Sequence, residues 1–246
     1  MRISFVGGGT DLASFYRQYP GRVISTAIDK YSYVTINRSP LIKKVAARWA
    51  MNELVDHPNE LKNDRIRAAL LSFGIVNEID VVSFSDVPVK TGLGSSSSFT
   101  AALIKGLSTH VGKRIDKQEL AELASMLEID LLKETIGKQD QYAATFGGFN
   151  IFQFNKDETV DVLPIRMDFK KRLDFEKHLF LFFTGITRLA SSVLTEQKSK
   201  INQNIETLKK MSDSVFDFRD KLVAGDIKAL GEMLHDGWLM KKALAS

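Results

Sequence analysis

The 246-residue chain contains no cysteine, which excludes disulfides, thiolate metal sites and a cysteine nucleophile. Histidine is scarce too: His57, His110, His178 and His235 are scattered without the spacing a zinc site needs. With only 5 prolines, no Pro-rich linker divides the chain, and no internal repeat or low-complexity tract is present. The best apolar run, Leu179 to Phe183, falls far short of the ~20 residues of a helical membrane span. Met1-Arg2-Ile3-Ser4-Phe5-Val6 runs straight into glycines, unlike a secretory signal. A cytoplasmic protein without membrane contact is therefore expected. Charge of one sign is also in short supply, since 34 basic and 30 acidic residues leave only +4. That surplus suits a small anionic ligand. Without a basic cluster on one element it gives no case for nucleic acid.

What is present is an ordinary globular composition, 44% hydrophobic and 26% charged, enough for one large or two smaller domains. β-Branched runs predict strands at Arg2–Val6, Val23–Ile28, Tyr31–Ile36 and Ile79–Phe84. Helical spacing over Leu61–Phe73 stops at Gly74, and Phe99–Val111 carries the stripe Leu103, Leu107 and Val111 before Gly112. Asp116 with Glu119 reads as a capping box opening a helix with the stripe Leu120, Leu123, Leu127 and Leu131, and Glu128 at its edge. Phe146–Phe154 and Thr159–Ile165 read as a strand pair around Asn155–Asp157. A strand at His178–Thr184 then leads into helical sequence with the seam Leu194, Ile201, Ile205 and Leu208. The cluster Arg166, Lys170, Lys171 and Arg172 reads as a solvated connection, with a boundary near 166–175.

Three segments carry chemistry. In Pro88-Val89-Lys90-Thr91-Gly92-Leu93-Gly94-Ser95-Ser96-Ser97-Ser98, glycines free the backbone and the helix behind offers N–H groups to a phosphate. The run matches neither a Walker A loop nor a nucleophile elbow. In Gly7-Gly8-Gly9-Thr10-Asp11, a strand feeds a glycine turn. Gly7 and Gly9 make an incomplete G-x-G, but Leu12 fills the third glycine position of a dinucleotide fingerprint. In Gly137-Lys138-Gln139-Asp140-Gln141, Asp140 could take a hydroxyl proton with Lys138 holding it ionised, or could simply cap a helical turn at Gln141–Thr145.

In order and type, the three motifs resemble those of the GHMP small-molecule kinases, such as galactokinase, homoserine kinase and mevalonate kinase. The runs R-I-S-F-V-G-G-G-T-D-L from Arg2, D-K-Y-S-Y-V-T-I from Asp29 and G-K-Q-D-Q-Y-A-A-T-F-G-G from Gly137 most resemble bacterial D-glycero-D-manno-heptose 7-phosphate kinases. T-G-I-T-R-L-A from Thr184 and G-W-L-M-K-K from Gly237 fit as well. The resemblance implies an α+β, two-domain fold. Residues 1–168 would form an ATP-binding and catalytic domain like domain 2 of ribosomal protein S5. Residues 169–246 would form a C-terminal α+β domain, truncated because the family's third, glycine-rich motif has no counterpart before Ser246.

The implied activity is ATP-dependent phosphorylation of the anomeric hydroxyl of a sugar phosphate, D-glycero-D-manno-heptose 7-phosphate, for GDP-heptose and surface polysaccharide synthesis. A fucokinase-like enzyme and a non-catalytic binding protein on the same fold are the alternatives. ATP would lie on Thr91, Gly92, Leu93, Gly94, Ser95, Ser96 and Ser97, with Mg²⁺ on Ser96 and Glu128. The sugar would meet Gly8, Gly9, Thr10 and Asp11, and Asp140 would accept the proton. Arg2, Lys138 and Arg188 would supply positive charge: Arg2 in catalysis, Lys138 and Arg188 toward the substrate, with Arg188 gripping its phosphate. A monomer or homodimer is expected.

Overall fold

The computed structural model describes residues 1–88, 91–185 and 201–244. In chain order they form β1 (Arg2–Val6), α1 (Ala13–Tyr16), β2 (Gly21–Ala27), β3 (Ser32–Arg38), β4 (Val45–Arg48), β5 (Asn52–Val55), α2 (Asp64–Ser72), β6 (Ile79–Ser85) and α3 (Ser95–His110). Then come α4 (Lys117–Ser125), a π-helical turn at Met126–Leu131, α5 (Gln139–Phe146), β7 (Phe149–Phe154), β8 (Val160–Pro164), α6 (Phe169–Lys177), α7 (Ile201–Ala224) and α8 (Ile227–Leu244). The class is α+β, as expected, with two four-stranded sheets ordered β1-β2-β7-β8 and β3-β6-β4-β5.

The chain divides into two compact units. The first comprises Met1, Asp29–Glu134 and Asp140–Phe146; the second comprises Arg2–Ile28, Thr135–Gln139 and Gly147–Ser246. These units do not follow the expected division at 168/169. The reason is strand pairing: β2 pairs with both β1 and β7, so the N-terminal strands share a sheet with residues beyond 147. That sheet shares a core with the C-terminal helices.

In the first unit β4 runs parallel to β6, with Val45 opposite Ile79 and Ala47 opposite Val81. These four bury one face against Ile66 and Leu70 of α2, Leu103 and Leu107 of α3 and Leu127. Asn63 caps α2 through the Ile66 N–H, and Asp116 caps α4 through the Glu119 N–H at 2.8 Å. After α4 the helix widens: the Leu132 N–H reaches the Leu127 carbonyl at 3.0 Å, five residues back. The turn takes Leu131 off the expected stripe into solvent and carries Glu128 inside, fully buried.

In the second unit Val6, Ile24 and Ile151 of the sheet pack on Phe175 of α6, Val215, Phe218 and Leu222 of α7 and Leu230 of α8. The Phe5 ring stands 5.5 Å from Phe149, 5.4 Å from Phe175 and 5.8 Å from Phe218. Gly7 turns the chain after β1 with φ +87°, and a Cβ there would lie 1.9 Å from the Arg22 carbonyl oxygen.

Several expectations change. The short β4–β5 hairpin had no clear period in the sequence. The basic cluster is not a bare connection: Lys170, Lys171 and Arg172 lie in α6, whose N-terminus Asp168 caps. Residues 178–184 form no strand with the described residues, and Leu179 to Phe183 are exposed. A strand needs a neighbouring backbone, which apolar composition alone does not supply. Ile201 and Leu208 of the expected seam are buried, whereas Leu194 lies outside the described residues.

Phe218 is fully buried and central to the second core. Phe218→Ala is expected to cost about 3–5 kcal/mol in urea unfolding. A loss below about 1 kcal/mol would mean that α7 does not hold this sheet.

Candidate active site

The phosphate loop belongs to the first unit. Gly92 and Gly94 adopt φ +78° and +70°, and Gly94 occupies the cap position of α3 with no side chain bonded to the helix N-terminus. Thr91 Oγ1 donates to the Pro88 carbonyl at 3.2 Å, and Ser98 Oγ donates back to Gly94 at 2.9 Å. The helix starts at Ser95, earlier than expected, because serine is well tolerated in a first turn. Ser95 and Ser97 point inward while Ser96 is exposed. A 16-residue helix opening without a side-chain cap offers its N–H groups and dipole to an anion.

Behind this loop, Glu128 is saturated. Its Oε1 accepts Thr100 Oγ1 at 2.6 Å and Arg65 Nε at 3.2 Å. Its Oε2 accepts Ser97 Oγ at 2.8 Å and Gln141 Nε2 at 2.5 Å. Arg65 also pairs with Glu134 at 2.6 Å, and burial raises the Glu134 carboxyl above its usual range despite that arginine. Four donors occupy the roughly four lone-pair sites of a carboxylate. The expected Ser96–Glu128 pair therefore does not fit Mg²⁺: Ser97, not Ser96, reaches Glu128, and no oxygen is left for a cation. Among the described residues, no group of three histidines or carboxylates could hold a metal. Arg65, Thr100 and Gln141 had no local signal in the sequence, because their meeting point exists only after the π-turn.

Asp140 also belongs to the first unit. It sits half-buried in the first turn of α5, which starts at Gln139 rather than Gln141, so it lies inside the helix instead of capping it.

The residues expected to meet the sugar belong to the second unit. Asp11 is buried; its Oδ1 accepts the Gly9 N–H and its Oδ2 the Gln139 N–H, both at 3.2 Å. Gly137 has to be glycine, because a Cβ there would lie 1.9 Å from Asp11 Oδ2. Ser4 Oγ donates to Gln139 Oε1 at 2.9 Å. Gly8 and Gly9 are buried in the turn, and Arg2 opens β1, half-buried. Thr10 departs from expectation. Fully buried, its hydroxyl lies 2.8 Å from the Gly7 carbonyl and accepts the Arg22 N–H at 3.0 Å, so it braces the loop from within.

Lys138 is likewise engaged inside its own unit rather than reserved for a carboxylate in its motif. Its Nζ donates to Glu158 Oε2 at 2.8 Å and lies 5.1 Å from the Tyr16 ring centre. The same carboxylate accepts Tyr16 OH and Arg17 Nε, each at 2.6 Å. Burial works to raise the Glu158 carboxyl, but the donors Lys138, Tyr16 and Arg17 outweigh it and hold it at about 2. Burial and this carboxylate together raise the Tyr16 hydroxyl. Glu158 ends the β7–β8 turn at φ +73°, a conformation the sequence did not announce. Arg188 lies outside the described residues.

A transferred phosphoryl group needs convergent N–H donors, and the attacking hydroxyl needs a group to receive its proton. The N-terminus of α3, with no side-chain cap, and the carboxylate of Asp140 are groups of these two types, both in the first unit. Residues 45–148 match the family described as GHMP kinases N terminal domain, and the chain belongs to the GHMP kinases. Its kinase chemistry is ATP-dependent. A Campylobacter jejuni relative named D-glycero-alpha-D-manno-heptose 7-phosphate kinase is 28% identical over 100% of this chain and 76% of its own length. A bifunctional fucokinase/GDP-fucose pyrophosphorylase of Arabidopsis thaliana is 26% identical over 99% of this chain and 26% of its own length. The crystal structure of a D-glycero-D-manno-heptose 1-phosphate kinase from Bacteroides thetaiotaomicron superposes with a TM-score of 0.85 at 24% identity. That match covers 98% of this chain and 77% of the other. No helix among the described residues is long and apolar enough to cross a membrane.

Two outcomes test these networks. Glu128→Ala is expected to cost about 3 kcal/mol, the low end for orphaning one partner of a buried pair, since Arg65 keeps some access to water. Urea unfolding reads it, and a loss near zero would return Glu128 to the metal role. For Glu158, the folded carboxyl lies near 2 against an ordinary 4.5, so its stabilisation is present above 4.5 and fades as pH falls toward 2. Glu158→Gln should thus be less stable than wild type at pH 7, with the gap closing between about pH 4.5 and 2 as the carboxylate protonates. Urea midpoints across pH would show a constant gap if the clamp were absent.

Proposed function

We propose that the protein transfers the γ-phosphoryl group of ATP to the anomeric hydroxyl of a sugar phosphate, D-glycero-D-manno-heptose 7-phosphate. The observation that carries the substrate is the likeness to the Campylobacter jejuni kinase across the entire chain. ATP phosphates bind over Thr91–Ser97 and the start of α3. The sugar lies against Gly8, Gly9 and Asp11, whose carboxylate oxygens can accept sugar hydroxyls. Asp140 accepts the proton of the anomeric hydroxyl as its oxygen bonds to the γ-phosphorus. The bond from that phosphorus to the bridging oxygen breaks, and ADP leaves with the electron pair. Positioning and charge supply most of the acceleration, with Arg2 a cation at the head of β1. Glu128 takes no part in these steps; it fixes the frame behind the loop. The product is a sugar bisphosphate suited to GDP-heptose and surface polysaccharide synthesis in the cytoplasm, where ATP is at hand.

A fucokinase-like activity is the second reading, supported by the Arabidopsis thaliana relative that matches 99% of this chain. Coupled ADP-release assays offering heptose 7-phosphate, free heptose and L-fucose separate the two. Fastest turnover on L-fucose would replace the first reading with the second, and none on any sugar would favour a binding protein. Asp140→Asn is expected to lower kcat by about 10²–10⁴ while nucleotide affinity stays within about twofold. Near-normal turnover would remove Asp140 from the reaction.

A further inference from the structure

The side chain of Gln139 is fastened at one end and open at the other. Its Oε1 accepts Ser4 Oγ at 2.9 Å, while its Nε2 makes no hydrogen bond among the described residues. The residue is half-buried, and its amide nitrogen is not among the polar atoms shut away from water without a partner. An amide nitrogen carries two donors and no acceptor, so its open end calls for an oxygen.

The backbone holds that open end in the segment expected to meet the sugar. The Gln139 N–H donates to Asp11 Oδ2 at 3.2 Å. Gly137, two residues earlier, runs so close to the same oxygen that a Cβ would meet it at 1.9 Å. Ser4, Asp11, Gly137 and Gln139 all belong to the second unit.

The bond from Ser4 is made at the expense of another. Ser4 stands opposite Ser25 across the β1–β2 ladder, where two hydroxyls would ordinarily pair. They do not: Ser25 Oγ is buried with no partner among the described residues. Leaving a buried hydroxyl unmet is unfavourable, so Ser4 is committed to Gln139 against the interest of its own sheet. The chemistry of the amide narrows what it can hold. Lys138, its neighbour in the chain, is bound to Glu158, and a single uncharged amide offsets little of a phosphate's charge. The acceptor that fits is a neutral hydroxyl oxygen.

We infer that the Gln139 side chain, oriented by Ser4, donates through Nε2 to a hydroxyl oxygen of the sugar and so reads its polyol part rather than its phosphate. This deepens the sugar kinase reading above, on which it rests. Binding is a hydrogen bond with no covalent step. Gln139 touches the sugar, and Ser4 is a positioning residue that acts through it.

Steady-state kinetics on D-glycero-D-manno-heptose 7-phosphate and on the same heptose without phosphate, at saturating ATP, test the assignment. Gln139→Met should raise KM by about 3- to 10-fold, the worth of a neutral hydrogen bond, and by the same factor for both sugars. KM for ATP should stay within about twofold, and kcat should change less than the sugar KM. Ser4→Ala should give a smaller rise in the same direction, and Ser4→Thr should restore it. The double variant should be no worse than Gln139→Met alone, because both changes act through one amide. Thermal unfolding confirms that each variant is folded. A rise for the phosphorylated sugar alone would overturn the assignment and give the amide to the phosphate. A fall in kcat at constant KM would overturn it in favour of a role in holding Asp140. Unchanged KM for both sugars would overturn it and leave the sugar kinase reading intact. If wild type turns over neither heptose, the reading and the contact fall together.

Discussion

A carboxylate cannot be buried without partners, and the first unit is organised around satisfying one. Desolvating an unpaired charge costs several kcal/mol, so Glu128 must keep its four donors or leave the interior. Those donors come from α2, α3 and α5, which means that three helices are pinned to a single side chain. Ser97 and Thr100 fix the first turns of α3, where the phosphate loop ends. Gln141 fixes α5 one residue beyond Asp140. The spacing of the α3 N-terminus and Asp140 is therefore set from behind by the Glu128 carboxylate.

The second unit solves a different problem: holding the Asp11 side chain in place with very little material. Two backbone N–H groups and an absent Cβ at Gly137 do this, while Thr10 and Ser4 brace the segments on either side. The Glu158 clamp gathers Tyr16, Arg17 and Lys138 onto one hairpin residue. Such a cluster is half solvated, so its worth lies more in fixing direction than in adding stability. Gln139, which serves Asp11, ends a segment of the second unit, and Asp140 opens the next segment of the first.

Much of this was legible in the chain, and the pattern of what was missed has a physical cause. β1 and β6 carry β-branched alternation and appear where expected. The α4 cap at Asp116 and the glycine turn before α3 are local signals read correctly. Non-local events were hidden. A wheel turning 100° per residue puts Glu128 at a stripe edge, and only the wider turn brings it inside. Lys138 finds its partner 20 residues away across a hairpin. Thr10 carried the composition of a ligand contact but spends its hydroxyl on the loop itself. The apolar run at 179–183 has the residues of a strand without a ladder to join. Composition reports what a segment would prefer; pairing depends on what stands next to it.

The widened turn at Met126–Leu131 also constrains how the gene can drift. A π-turn carries more residues than the α-turn it replaces, so it acts as an insertion the structure has absorbed. Losing one codon there would restore an ordinary helix and return Glu128 to the edge of the apolar stripe. Glu128 would swing toward water and leave Arg65, Ser97, Thr100 and Gln141 facing a hole. Length changes that surface loops absorb with little effect are thus forbidden in this stretch, even though none of its residues is reserved for contact with a substrate.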